Sequence, residues 1–277
     1  MSVSVMILTY NEEINLPMCL ASLKWSDDIV VVDSYSIDRT EQITREAGAR
    51  FYQHRFEGFA SQRNFGLQEI AYKHPWVLMI DADEVVPCEL AKEIVSMVTQ
   101  SNPETCLIKI RRKDYLLGKW IKRSSGYPTW FERLARIGHV SGIQRGHGEE
   151  YRTDGALGFL RNCLYHYPFN KGFHAWLEKH NRYSTSEAQL ATQEGPLPWK
   201  IGDLWTSDVV RKRKALKAVA YALPARPFLM FNALYFFRGG ILEGRAGLTF
   251  CLLRAFYEFM IDCKVRELRR RQKCLPL

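Results

Sequence analysis

The chain has 277 residues, 47% hydrophobic and 13% aromatic, with a net charge of +9. That apolar content excludes a disordered chain and is enough for one large core or two modest ones. The basic excess is uneven: residues 1–198 hold 23 Lys and Arg against 24 Asp and Glu, and residues 199–277 hold 16 against 6.

Seven cysteines, odd in number and without a C-x-x-C pair, argue against a zinc site or a disulfide framework and fit a reducing cytosol. The opening "MSVSVMILTYNEE" has no basic n-region and only a short apolar stretch, so it reads as a first strand and not as a signal peptide.

In chain order, the near-continuous apolar run Val3 to Thr9 predicts a buried strand. Asn11 is expected to cap the following helix, with Glu12 and Glu13 in its first turn. "DIVVVD" is the second strand, a helix starts near Arg39, and Gly48 is its expected stop. "RFYQH" is a short third strand, Ser61 to Tyr72 a helix, and "WVLMI" the fourth strand. A helix follows Pro87 to about Gln100, and "CLIKIRRKDY" is a strand leading out of the unit.

Strands alternating with helices predict an α/β class with a Rossmann-like nucleotide-binding half. Residues 1–115 form that half. Residues 115–170, richer in Gly, Trp, Tyr, Arg and His, read as short strands and loops on the other wall of a cleft. The pattern turns helical from about Phe173, and 116–198 make a second half. Residues 199–277 form a basic amphipathic helical region. No stretch there reaches the roughly 20 apolar residues that a spanning helix needs. Two readings stay open for it: helices lying in a membrane interface, or helices packed on the core with a solvated basic tail.

Chemistry is expected at the carboxyl ends of the strands: Thr9 to Glu12, Asp33 to Asp38, and Asp81 to Glu84. In Asp81-Ala82-Asp83 two carboxylates at period two can share a side and form half a cage of hard oxygens for Mg²⁺ or Mn²⁺. The alternative is a solvated turn with Asp83 capping the helix after Pro87.

The pieces "ILTYNEE", "DDIVVVDSYSIDRT", "FEGFASQRNFGL", "LMIDADE", "GHGEEY", "LYHYPF" and "EKHNRYS", in that order and spacing, resemble the family-two glycosyltransferases with the GT-A fold. Within that family the sequence is most similar to bacterial enzymes that extend the lipopolysaccharide inner core. The resemblance covers about the first 190 residues, and the helical tail matches more loosely. In "DSYSIDRT" Tyr35 stands where the family commonly has a glycine, so the turn must accept a side chain there.

The resemblance implies an inverting, metal-dependent transfer of a hexose from a UDP-sugar, UDP-glucose foremost, to a glycolipid or lipopolysaccharide core acceptor. It makes residues 116–198 the acceptor-side half. Thr9, Tyr10, Glu12 and Asp33 would contact the nucleoside, with Asp33 accepting from the base, and Arg63 would lie near the nucleotide. Asp81 and Ala82 would border the nucleotide-sugar, Asp81 and Asp83 would face the metal, and His166 is a candidate further ligand. The base that takes the acceptor proton is sought among Glu149, Glu150 and Asp154, with Glu149 first by position and Glu150 next. His147 stands beside them in sequence. Lys179, Asn181 and Arg182 either face the diphosphate or form an exposed helix face.

The expected location is the cytoplasmic face of the inner membrane, peripherally bound to anionic lipid. A dinucleotide oxidoreductase is disfavoured because no G-x-G-x-x-G follows an early strand. Asp81 to Val85 also fits the D-x-D-x-[TV] pattern of haloacid-dehalogenase-type phosphatases, but that pattern normally ends the first core strand, and here three strand and helix units precede it. A non-catalytic membrane-surface nucleotide-binding protein would leave the strand-end carboxylates unexplained. The basic tail shows no recognisable nucleic-acid module.

Overall fold

The structure is a computed structural model that describes residues 3–100, 102–146, 148–194, 201–206, 208, 215 and 225–277. The chain divides into two compact units: residues 1–122 with 127–175, and residues 123–126 with 176–277.

The first unit is built on a nine-stranded mixed sheet of order β3-β2-β1-β4-β8-β6-β11-β5, with β7 pairing β6 off that path. The strands β1 (Ser4–Thr9), β2 (Ile29–Asp33), β3 (Arg50–Gln53) and β4 (Trp76–Asp81) are parallel neighbours. β1, β2 and β4 are apolar at nearly every position because both faces are covered, whereas β3, at the sheet edge, is half polar and only partly buried. Val5, Ile7, Val31, Leu78 and Ile80 enter one core with Leu16, Leu90 and Ile94, and Met6, Leu8, Val30, Val77 and Met79 enter another with Leu67 and Ile70. The helices covering these faces are α1 (Leu16–Ala21), α2 (Thr40–Glu46), α3 (Phe59–Glu69) and α4 (Cys88–Gln100).

The other half of the sheet uses β5 (Glu84–Val85), β6 (Thr105–Leu116), β7 (Lys119–Trp120), β8 (Trp130–Arg136) and β11 (Ala156–His166). β8 runs antiparallel to both β4 and β6, and β11 is parallel to β6. A cut at residue 115 falls inside β6, whose strand partners on both sides belong to the same unit. A separate hairpin, β9 (Val140–Arg145) with β10 (Gly148–Thr153), packs on α3. Asn64 holds it there by bonding both the amide and the carbonyl of Gly142.

Local chemistry moves several expected boundaries. Asn11 adopts φ 52° and does not cap a helix; its amide donates to Ser36 and its Oδ1 accepts from the Ile37 amide. The helix begins later, at Leu16, where Pro17 suits the first turn. α3 starts and ends earlier than expected because Ile70 is already extended. α2 ends at Glu46, and Gly48 takes the left-handed φ of 71° at the expected stop. Asp83 does not cap α4, which begins only at Cys88.

The second unit contains most of α5 (Gly172–Glu194), then α6 (Arg226–Asn232) and α7 (Gly244–Gln272). Buried Arg226 pairs with Glu258 and Asp262 of α7, and Lys264 donates to Asn181 and Ser184 of α5. Glu243 accepts from the Arg123 and Ser124 amides, which ties residues 123–126 into this unit. The boundary expected at 198/199 lies outside the described residues. No helix among the described residues is long and apolar enough to cross a membrane.

Candidate active site

The strand register brings the polar strand ends together. Thr9 sits opposite Asp33 and Leu8 opposite Asp81, so the loops after β1, β2 and β4 open on one edge of the sheet. The first two loops are knitted by side chains: the Glu12 amide donates to Thr40 and the Glu13 amide to Asp38.

Asp33 is fully buried, and its carboxylate accepts from Thr9 Oγ1, the Ser36 amide and the Ser36 hydroxyl. As placed it braces the turn between the ends of β1 and β2. Tyr35 sits in that turn at φ 60° with an exposed ring, the conformation in which a glycine is least strained. Tyr10 is exposed beside it, and Lys171 donates to the Tyr10 carbonyl and to Glu12 Oε1 at 2.8 Å. Burial and the charge of Asp83 raise the Glu12 pKa, with Lys171 opposing, which places Glu12 within the field of the D-x-D carboxylates.

Asp81 does not stand open. Arg63 Nη2 reaches its Oδ1 at 2.6 Å and Arg133 Nη2 its Oδ2 at 2.8 Å. Arg63 is buried because it lies on the inward face of α3, in helical register with Ala60 and Leu67. The Ala82 methyl between the two aspartates is buried in the core with Ile80 and Val86, so only its backbone faces the strand end.

From Asp81 a continuous chain of ion pairs runs in both directions. On one side Arg63 Nε lies 3.5 Å from Glu149 Oε1, which also accepts from the Tyr151 hydroxyl. On the other, Arg133 bonds Glu84 at 2.8 Å, Glu84 pairs with Arg112 at 3.4 Å, and Arg112 pairs with Asp114 at 3.1 Å. Asp114 then meets His166 Nδ1 at 2.6 Å, and His166 Nε2 lies 3.4 Å from Asp83.

Five carboxylates (Asp81, Asp83, Glu84, Asp114, Glu149) thus face three guanidiniums, a surplus of two negative charges before the imidazole is counted. Burial and Arg112 push the His166 pKa down, but Asp83 and the bond to Asp114 outweigh them and raise it. Burial would raise the Asp114 pKa, yet Arg112 and His166 hold it below the usual carboxylate range.

Asp83 and His166 are the pair that fits a divalent cation. A mostly buried carboxylate and an imidazole whose other nitrogen is fixed by Asp114 form the usual ligand and orienting partner of a metal site. Asp81 fits less well, since both its oxygens already serve guanidiniums.

Of the three base candidates, only Glu149 is brought to this network. Alternation along β10 turns Glu149 and Tyr151 inward and Glu150 outward. The Glu149 side chain is 16% exposed, and its Oε2 is buried without a hydrogen-bond partner among the described residues. Glu150 is 63% exposed beside Arg145, and Asp154 is 68% exposed beside His139. His147 lies outside the described residues. Asn181 belongs to the second unit, where it accepts from Lys264.

Sequence reasoning reached Glu84 only as the last residue of the Asp81 to Glu84 strand end, and it missed Arg112, Asp114, Arg133 and Lys171. Arg112 and Asp114 carried a usable signal, a period-two ion pair late in a strand whose preceding residues are apolar. Arg133 carried none, since nothing local marks it as buried.

A parallel Rossmann-like half, a mixed second half and an Arg-braced D-x-D at the strand ends define a glycosyltransferase of GT-A-like fold. A family model described as Glycosyl transferase family 2 matches residues 4–187. The chain belongs to that family and is a glycosyltransferase. It is 27% identical over 280 residues to the lipopolysaccharide core biosynthesis glycosyltransferase LpsC of Rhizobium meliloti, covering 95% of this chain and 92% of that one. It is 25% identical to the uncharacterized glycosyltransferase RP128 of Rickettsia prowazekii, over 96% and 87% of the two chains.

Among solved structures, the mannosyltransferase PcManGT of Pyrobaculum calidifontis, in complex with GDP-Man and Mn²⁺, matches with a TM-score of 0.51 at 17% identity. That match covers 95% of this chain and 86% of the other, and supports the fold. The phosphatase reading is displaced by the family match, and a carboxylate clamped between two guanidiniums is a poor nucleophile.

Proposed function

We propose that this chain is an inverting, divalent-metal-dependent glycosyltransferase that moves a hexose from a UDP-sugar to a glycolipid or lipopolysaccharide core acceptor. The observation that carries this reading is the unbroken chain of charged side chains from Glu149 to Asp83, with its surplus of negative charge beside polar strand ends.

Thr9, Tyr10 and Glu12 border the nucleoside seat, which Asp33 shapes by fixing the turn. Arg63 and Arg133 hold Asp81 in one rotamer, so that it orients the donor. Asp83 and His166 hold the cation. A bound divalent ion neutralises charge developing on the departing diphosphate, and a carboxylate with an imidazole suits Mn²⁺ better than Mg²⁺. Glu149 takes the acceptor hydroxyl proton on Oε2, which has no hydrogen-bond partner among the described residues, while Tyr151 and Arg63 keep Oε1 in place.

UDP-glucose is the favoured donor by sequence resemblance, and the name of the LpsC relative supports a lipopolysaccharide core acceptor. We place the enzyme at the cytoplasmic face of the inner membrane. Leu248, Leu252, Phe256 and Phe259 are exposed along one face of α7, and Arg269, Arg270 and Arg271 lie in its last turn. That pattern supports a helix lying on anionic lipid.

The test is Glu149→Gln, assayed with UDP-glucose and inner-core lipopolysaccharide. The substitution should lower turnover by about 10²–10⁴-fold, the range of general-base catalysis, with UDP affinity unchanged. Wild-type turnover would move the base to Glu150 or Asp154.

A further inference from the structure

The same strands that carry the ion-pair chain on one face carry a second set of cations on the other. Along β6, Arg112 and Asp114 turn toward the active-site network, and Arg111 and Lys113 turn away. On β11 the alternation repeats: His166 joins the network, while Cys163 and Tyr165, in register with Arg111 and Lys113, face the opposite side.

There they border a cleft of about 380 Å³, within the range of small-molecule sites. Lys122, Trp120 and Tyr127 complete its wall, and Arg161, Asn162 and Glu89 stand at it from β11 and α4.

Among the described residues, the cations of this cleft outnumber the carboxylates that line it. Neighbours on β6 pair off, Lys109 with Glu132 at 2.6 Å and Arg112 with Glu84 and Asp114. Arg111, Lys113 and Lys122 make no ion pair among the described residues, and Glu89 is the one carboxylate in the lining. Their cations rest on rings instead. Lys113 Nζ is 4.6 Å from the Trp120 ring centroid, Lys122 Nζ is 5.4 Å from it, and the Arg111 guanidinium is 5.2 Å from that of Trp130. Arg111 Nε and Trp120 Nε1, on two residues that line the cleft, are buried without an acceptor among the described residues, so the lining holds more donor capacity than the protein satisfies.

We propose that this cleft binds a phosphorylated or carboxylated sugar unit of the acceptor glycan. The proposal rests on the glycosyltransferase reading and deepens it by assigning the chemical class of the acceptor. Arg111, Lys113 and Lys122 take the anionic group, Trp120 and Tyr127 offer aromatic surface to the sugar ring, and Glu89 and Asn162 meet its hydroxyls. The cleft lies on the opposite face of β6 from Asp114, so it holds a part of the acceptor remote from the reacting hydroxyl.

The test is calorimetric titration of the full chain, saturated with UDP and Mn²⁺ to close the donor site, with glucose 6-phosphate, glucose and inorganic phosphate as probes. Glucose 6-phosphate should bind at least tenfold more tightly than either other probe, and Lys113→Gln with Lys122→Gln should weaken it at least tenfold. UDP affinity should be unchanged in that double variant, which also reports that it is folded.

No binding of glucose 6-phosphate to the wild type, or equal binding to the double variant, overturns the proposal. Equal affinity for inorganic phosphate overturns its saccharide part and leaves a phosphate site. Loss of UDP binding by the wild type contradicts the donor reading instead, so the two failures are separable.

Discussion

Arg133 joins Asp81 and Glu84 through one guanidinium nitrogen, in a position that excludes nearly all solvent. Its charge is retained there because both partners are carboxylates, Glu84 is wholly buried, and burial of either anion alone would be costly. Both neighbours raise the pKa of this arginine against the effect of burial, which favours its neutral form. Arg133→Met should therefore destabilise the chain by about 3–5 kcal/mol, the cost of leaving a buried charge unpaired, measured by urea unfolding. A loss below about 1 kcal/mol would show that the pair is solvated and that the chain of charges is not continuous. Glu149 illustrates the same scale from the catalytic side: one residue along β10 separates a carboxylate held by Arg63 and Tyr151 from one facing water.

At the scale of elements, α7 carries two faces with different fates. Gly247, Cys251, Glu258 and Ile261 are buried, and Gly247 is required because a Cβ there would stand 2.1 Å from the Gly240 carbonyl oxygen. Leu248, Leu252, Phe256 and Phe259 are exposed on the other side. Replacing Leu252 and Phe256 together with Glu should reduce co-sedimentation with phosphatidylglycerol vesicles at least tenfold, with little change in stability because both side chains are exposed. Equal sedimentation of the two proteins would assign the stripe to something other than lipid.

Much of the element order was legible from the sequence. Apolar runs marked β1, β2 and β4 because these strands are buried on both faces, and the Gly48 stop followed from its left-handed backbone. What was not legible depended on partners distant in sequence. Asn11 resembles a cap, but Ser36 and Ile37 compete for it, and the place of β11 beside β6 is set by pairing across some fifty residues. The same holds for the site. Asp81, Asp83, Arg63, Glu149 and His166 stood out by motif, and the structure brings them into one network. Arg133 and Lys171 acquire meaning only from contacts that no local pattern encodes.

For the molecule as a whole, one sheet separates two chemistries. Its strand ends gather Asp81, Asp83, Asp114 and His166, and the reverse face of β6 and β11 gathers cations in a cleft whose lining holds one carboxylate, Glu89. A transferase that holds a nucleotide-sugar at the first and an anionic acceptor segment at the second uses both sides of the same strands. If Asp83 holds a divalent cation for the donor diphosphate, as proposed, titration of UDP into the full chain with and without Mn²⁺ will show it most directly. Mn²⁺ should tighten UDP binding at least tenfold in the wild type, and Asp83→Ala should abolish this gain. Absence of UDP binding under both conditions, or the same Mn²⁺ dependence in Asp83→Ala, would contradict that role for Asp83.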